Sequence, residues 1–237
     1  MAERFTRWPQ NPLSERACGF ESHPPHHLSE VLHPVCRANP PDPMRCVDAR
    51  DLEGEYVHLL GLCLGDGCIS RHARSVWRLR IVQDNRYVEL IESCKAAIAE
   101  VSGKSPGVTQ FTGCRQVSAY WKHWPCAFPQ AAPGRKHLRR IQLEPWQVQR
   151  VERYPHELIK GLIESDGCRI TNSAIAHGKR YEYPRYFFSN RSADIQDLFR
   201  WACDLIGVEY RQDGPWNISV ARRRSVAILD EFIGPKR

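Results

Sequence analysis

The sequence contains no apolar run that approaches the length of a membrane span, which argues against channels, transporters and anchored proteins. Its first residues carry no apolar leader segment, so a soluble, intracellular, cytoplasmic protein is expected. No Cys-X-X-Cys pair occurs either. Ten cysteines without that spacing, in a reducing compartment, read as free thiols rather than a disulfide frame or a structural zinc site. His26, His27, His33, Cys36 and Cys46 fit no common zinc-finger spacing. Residues 1–50 also lack hydrophobic periodicity. They hold eight of the 17 prolines and four of the ten histidines, and read as a disordered N-terminal segment.

What remains can build a core. Of the 237 residues, 42% are hydrophobic, enough for one large or two small domains. The net charge is +7, and it is uneven. Residues 1–50 carry six basic and six acidic side chains, so residues 51–237, with 28 basic against 21 acidic, supply all of it. A basic folded part points towards an anionic partner such as nucleic acid, although mildly basic proteins without such a partner are common.

Two stretches organise the chain. The first runs from Leu59 through Gly61 and Gly65 to Asp66 and Gly67; the second runs from Leu158 through Gly161 and Ser165 to Asp166 and Gly167. Each is an apolar run with a small residue every fourth position, closed by Asp-Gly. The aspartates are 100 positions apart, the signature of a duplicated unit. Residues four apart share one helix face, and a small-xxx-small face lets two helix backbones approach closely. Glycine inside a helix costs about 1 kcal/mol against alanine, so its repetition implies a packing reason. Gly67 and Gly167 are expected as left-handed caps. Asp66 and Asp166 then sit at helix C-termini, where a carboxylate opposes the helix dipole and a cation would relieve the conflict. Helices packed in this way would bring both carboxylates together, ready to share hard divalent ions. For either stretch alone, a buried amphipathic helix with a cap is an equal reading.

The flanking pattern repeats as well. A helix is expected over 51–67, a strand near Cys68–His72, and a strand over Val76–Val82 with Trp77, Leu79 and Ile81 alternating against Arg78 and Arg80. Arg71, His72 and Arg74 cluster just before it. A helix follows over 85–100, with Val88, Ile91, Ala96 and Ile98 among its apolar positions, then two strands turning at Gly113. Residues 125–150 form a basic, proline-rich linker whose Arg139 and Arg140 are either solvated or in contact with phosphate. The second half is expected over 151–237: motif helix, strand, the aromatic strand Tyr181–Ser189, a helix over 192–206 striped by Ile195, Leu198, Phe199, Ala202 and Ile206, two strands and a closing helix. The first half takes 51–124.

Both motif stretches resemble the LAGLIDADG motif of homing endonucleases, in the form where one chain carries two copies. The first copy has Leu64 in place of the inner acid; the second has Lys160 at its second position and keeps Glu164. The last acid stands in both. The resemblance implies an α+β fold of two αββαββα halves, paired through the motif helices into a saddle whose antiparallel sheets enter the DNA major groove. It further implies a monomeric, Mg²⁺-dependent nuclease that cuts both strands of double-stranded DNA and leaves short 3′ overhangs. The ions would be two or three, held by Asp66, Asp166 and the Gly65 and Ser165 positions. Gln83 and Asn190 would order the attacking water. Lys122 and Arg222, also 100 apart, would be the basic residues late in the fourth strands, with Arg223 an equal claimant in the second half. Arg71, His72, Arg74, Arg78, Arg80, Arg139, Arg140, Arg169, Asn172 and Arg185 would contact DNA, with Gln110 a further adenine reader. The alternative is a DNA-binding regulator or RNA maturase of the same fold that does not cleave; the presence of both final acids favours the nuclease. No splicing junction flanks the motifs, which disfavours an intein-borne enzyme.

Overall fold

A computed structural model describes residues 53–176, 178–234 and 236. The N-terminal segment 1–50, with its histidines and cysteines, lies outside the described residues. The first round of elements is α1 (Glu53–Gly65), β1 (Gly67–Arg71), β2 (Trp77–Asp84), α2 (Val88–Ser102), β3 (Gly107–Phe111) and β4 (Cys114–Trp121). Two short helices follow, α3 (Trp124–Ala127) and α4 (Pro145–Arg153). The second round is α5 (Pro155–Asp166), β5 (Gly167–Ala176), β6 (Lys179–Ser189), α6 (Ala193–Leu205), β7 (Arg211–Gln212), β8 (Asn217–Val220) and α7 (Arg223–Asp230).

The strands form two four-stranded sheets of identical plan, ordered β1-β2-β4-β3 and β5-β6-β8-β7, with every pairing antiparallel. The expected mixed α+β class and its duplicated order are therefore present. Leu79, Ile81, Val117 and Ala119 turn inward from the first sheet, as Tyr186, Phe188, Ile218 and Val220 do from the second. Between the sheets lie α1 and α5. Val57, Leu59, Leu60, Leu62, Leu158, Ile159, Leu162 and Ile163 are all buried. α1 is apolar nearly all round because protein surrounds it on nearly every side.

Several local expectations shift. In α2 the inward stripe is Leu90, Ile91, Cys94, Ala97, Ile98 and Val101, while Val88 is 51% exposed and Ala96 faces solvent. The helix begins only at Val88, and the stripe runs at spacings of three and four from Leu90 and Ile91 through Cys94, Ala97 and Ile98 to Val101 rather than from that first residue. In α6 the stripe is as expected, deepened by Cys203, and Ser192 Oγ accepts from Ile195 N at the helix start. The connector is well packed. Trp124, Phe128, Ile141, Leu143 and Val151 are buried. Tyr56 of α1 donates to Ala127 O at 2.7 Å, accepts from Gln147 Nε2 at 2.7 Å and stacks on Phe128. Its bulky apolar residues, spaced among the prolines, close over the side of α1.

Gly67 and Gly167 are not left-handed caps. Gly167 is extended, at φ −119° and ψ 177°, and Gly67 is absent from the positive-φ residues. Close approach is what requires glycine at both positions. A Cβ on Gly67 would fall 2.5 Å from Cys63 Cα, and one on Gly167 would fall 2.7 Å from Ile163 Cδ1 and 2.8 Å from Phe187 O. Each strand leaves its helix by folding straight back over the last turn.

Candidate functional site

The site grows from the crossing of α1 and α5. At the crossing Gly61 faces Gly161. A Cβ on Gly161 would lie 2.3 Å from His58 O and 2.9 Å from Gly61 Cα, and one on Gly61 would lie 2.7 Å from Leu158 O. Only hydrogen fits there. One turn on, Gly65 meets Ser165: a Cβ on Gly65 would come 2.4 Å from Ser165 Cβ and 3.1 Å from Asp166 Oδ2. The two helices thus end side by side, and their terminal carboxylates share one neighbourhood.

That proximity shapes both acids. Burial pushes the Asp66 carboxyl up to about 7, and the Asp166 charge pushes in the same direction. Asp166 is likewise raised, chiefly by burial, against the pull of Lys136, of an Asn190 hydrogen bond and of Lys236. Both residues are half-buried, so their oxygens remain within reach of a ligand. Two like charges held together at helix C-termini are unfavourable unless a cation joins them.

The donor set suits a hard ion. Among the described residues no group of three or more His, Cys, Asp or Glu side chains could hold a metal. The site offers two carboxylates together with the carbonyl oxygens of Gly65 and Ser165. That fits magnesium, which keeps several waters and completes its shell with phosphate oxygens.

Asn190 directly follows β6, and its Nδ2 donates to Asp166 Oδ2 at 2.7 Å. Gln83, next to the last residue of β2, lies on the inward face with Leu79 and Ile81. It is 4% exposed, and its Nε2 is buried without a hydrogen-bond partner. A buried unpaired amide of that kind calls for a ligand or water. Lys122 and Arg222 are placed differently. Lys122 is exposed on the turn after β4, and Arg222 pairs with Glu209 at 2.7 Å. The cations that act on both carboxylates are Lys136 and Lys236. Lys136 Nζ donates to Cys63 O, Leu64 O and Gly65 O at 2.7, 3.0 and 2.6 Å. Lys236 Nζ donates to Ser165 O at 3.2 Å. These lysines are also 100 residues apart. The offset that relates the aspartates would have found them, had it been applied to every lysine rather than only to those beside β4.

Glu164, the inner acid kept by the second stretch, pairs with His58 of α1, Nε2 to Oε2 at 2.5 Å, with side chains 7% and 13% exposed for His58 and Glu164. Their counterparts at the 100-residue offset are Leu158 and Leu64. This contact therefore exists on one side of the crossing only.

The outward sheet faces carry the expected arginines. Arg78 Nη2 donates to Ser118 Oγ at 3.0 Å, with its guanidinium 5.2 Å above the Tyr120 ring. Arg80 Nη2 reaches Cys68 Sγ at 3.4 Å. In the second sheet Arg185 donates to Ser219 and lies 4.4 Å above the Phe187 ring. In both halves an arginine of the second strand bonds a serine of the fourth. The Nε atoms of Arg78, Arg80 and Arg185 are all buried without a hydrogen-bond partner. His72 packs edge-on against Tyr120 at 5.1 Å, and Arg74 sits in a tight left-handed turn at φ 58°. Arg71 and Arg140 are exposed; Asn172 stands opposite Tyr183. Arg139 donates to Gln130 O at 2.5 Å, and burial lowers its pKa. Gln110 donates to Asn85 Oδ1 at 3.0 Å.

Arg169 is turned away from this group. The register sets it opposite Tyr186, on the inward face, where it makes a bidentate pair with Asp230 at 2.7 and 2.9 Å. Because β5 starts at Gly167, directly after the helix, its odd-numbered residues face the inward residues of β6. Its counterpart at the same offset, Ile69, packs against the core.

No protein-family model matches the chain, and no curated protein does. Its structural neighbours are LAGLIDADG proteins. The LAGLIDADG meganuclease I-AabMI, solved bound to uncleaved DNA, is 12% identical, with 75% of this chain and 82% of that chain covered and a TM-score of 0.49. The I-LtrWI homing endonuclease bound to target DNA is 7% identical, covering 77% and 84%, with a TM-score of 0.48. The N-terminal LAGLIDADG domain of WhiA is 12% identical, covering 79% and 86%, with a TM-score of 0.46. At these identities the likeness concerns the course of the chain.

Proposed function

We propose that this chain is a divalent-metal-dependent, site-specific DNA endonuclease that hydrolyses one phosphodiester bond on each strand of a long double-stranded target. One observation carries this reading: Asp66 and Asp166 meet at the tips of two glycine-packed helices, each raised in pKa chiefly by burial despite the pull of Lys136 and Lys236. The magnesium that Asp66, Asp166 and the Gly65 and Ser165 carbonyls would hold supplies polarisation of the scissile phosphate and stabilisation of the leaving oxygen. Asn190 holds Asp166 in place. Gln83, with its unpaired amide, positions a water in the first half. Lys136 and Lys236 supply the positive charge beside the carboxylates, the role the sequence resemblance gave to Lys122 and Arg222.

Target reading falls to the outward sheet faces. Arg78, Arg80 and Arg185 each hold an unpaired buried donor, and Arg71, His72, Arg74 and Asn172 stand near them. Arginine pairs bidentately with guanine, and exposed Arg140 suits phosphate. The solved neighbours bound to DNA are consistent with such a partner. The protein is expected to act as a monomer, since one chain supplies both halves, and to leave short 3′ overhangs.

The test is incubation with a plasmid library of randomised sites in Mg²⁺. Double-strand cuts at one sequence, abolished by EDTA and by Asp66→Asn or Asp166→Asn, are expected. Sequence-specific binding without a cut under any divalent ion would replace the nuclease with a non-cleaving regulator.

A further inference from the structure

The two lysines at the helix ends do more than lend charge. Lys136 directs all three of its N–H donors at the last-turn carbonyls of α1, groups that have no partner within the helix. Lys236 makes the corresponding contact with Ser165 O on α5. Gly65 and Ser165, Asp66 and Asp166, Lys136 and Lys236 all repeat at the same 100-residue offset. Each helix tip therefore presents a carboxylate, the carbonyl just before it, and an ammonium seated on that carbonyl.

We propose that Lys136 and Lys236 are built-in substitutes for the divalent ions: each holds its motif-helix carbonyl until an ion takes that oxygen, so that ion binding and lysine release are a single exchange. The proposal rests on the metal-nuclease reading above. Its physical basis is competition for one oxygen. Lys136 Nζ stands 2.6 Å from Gly65 O, and an ion bound through the same oxygen would lie at about 2.0–2.6 Å. A carbonyl has two lone pairs, so geometry alone allows both partners. Charge opposes it, because ammonium and ion would then repel across a few ångströms in a partly buried site. The exchange also gives each carboxylate a counter-charge whenever no ion is bound, because both ammoniums act on both acids. Once displaced, the ammonium is free for phosphate oxygens, which a substrate would bring to the same place.

The test uses Mn²⁺ alone and the full chain. Isothermal titration on wild type, Lys136→Met and Lys236→Met, with Asp66→Asn as the control that removes a ligand, measures ion affinity directly. Each methionine variant is expected to bind Mn²⁺ roughly tenfold more tightly at its own half, while melting lower than wild type in EDTA. Should a variant fold poorly, wild-type ¹³C NMR of the lysine ε-methylenes in a Mg²⁺ titration gives a second readout: two lysine signals should shift and saturate with the ion. Mn²⁺ bound by wild type but no tighter by the variants, or lysine signals that stay still, overturns the exchange and leaves the nuclease reading standing. Wild type that binds no Mn²⁺ at millimolar concentration overturns both.

Discussion

Gly161→Ala pits two effects of opposite sign against each other. Replacing a helical glycine by alanine favours the helix by about 1 kcal/mol. At this position the added methyl would sit 2.3 Å from His58 O, 2.8 Å from Leu62 N and 2.9 Å from Gly61 Cα, where ordinary contact needs 3.4 Å or more. All three atoms are backbone of the facing helix, so no side chain can rotate out of the way. The helices must separate by about 1 Å, which loosens the packed leucines and isoleucines on both sides of the crossing. Overpacking of a core costs roughly 1–3 kcal/mol when side chains can adjust, and more when they cannot. A net loss of about 2–3 kcal/mol is expected, which for a chain of this size lowers the melting temperature by roughly 4–12 °C. Gly61→Ala, whose closest contact would be 2.7 Å, should cost less. Differential scanning calorimetry in EDTA reads the stability, and cleavage of the selected site reads the separation of the carboxylates. A Gly161→Ala protein that melts at or above wild type would refute the close crossing and, with it, the juxtaposition of Asp66 and Asp166.

The remaining predictions concern charge. Asp66 has a folded pKa raised from an ordinary 3.8 to about 7, so its contribution to stability is present below about pH 4 and is lost as pH rises through 7. Metal-free wild type should therefore lose stability across that window. Asp66→Asn should flatten that slope and melt higher than wild type at pH 8 in EDTA while cutting no DNA; a pH-independent wild-type melting temperature between 5 and 8 would contradict this. Arg169→Ala should cost about 1–2 kcal/mol of stability through its Asp230 pair and leave DNA affinity unchanged, whereas Arg80→Ala should weaken binding to the selected site by about 1–3 kcal/mol with little effect on melting; fluorescence anisotropy and calorimetry together separate the two. DNA affinity should fall steeply with salt, and Arg140→Ala should reduce the slope of log affinity against log salt by about 1 if that side chain contacts phosphate.

The duplicated order of helices and strands, the paired glycine helices and the two aspartates were all legible in the sequence. Each depends on a local rule, the periodicity of an element or a fixed offset between copies, and such rules survive without coordinates. Strand β2, with its strict alternation, was read with the correct face inward. The second half was harder. Tyr181 to Ser189 alternates poorly, and only pairing with β5 and β8 shows that Tyr186 and Phe188 turn inward and Arg185 outward. Arg169 was grouped with the DNA-facing residues because a basic strand residue after a motif suggests one; the register, set by where the helix stops, puts it on the other face. Gly67 and Gly167 were expected at the right places for the wrong reason, since a Gly after a helix signals a left-handed cap until the neighbouring chain is seen to press against it.

The sequence by itself determined that the chain is built twice and that each copy ends its helix on an acid, because spacing along the chain is all that such an argument needs. Only the tertiary structure decided which cations serve those acids. Lys136 lies 70 residues beyond Asp66, and Lys236 lies 70 beyond Asp166. Contacts over such separations depend on how the intervening chain folds back: the shared offset marks the two lysines as a related pair, but not where their side chains reach.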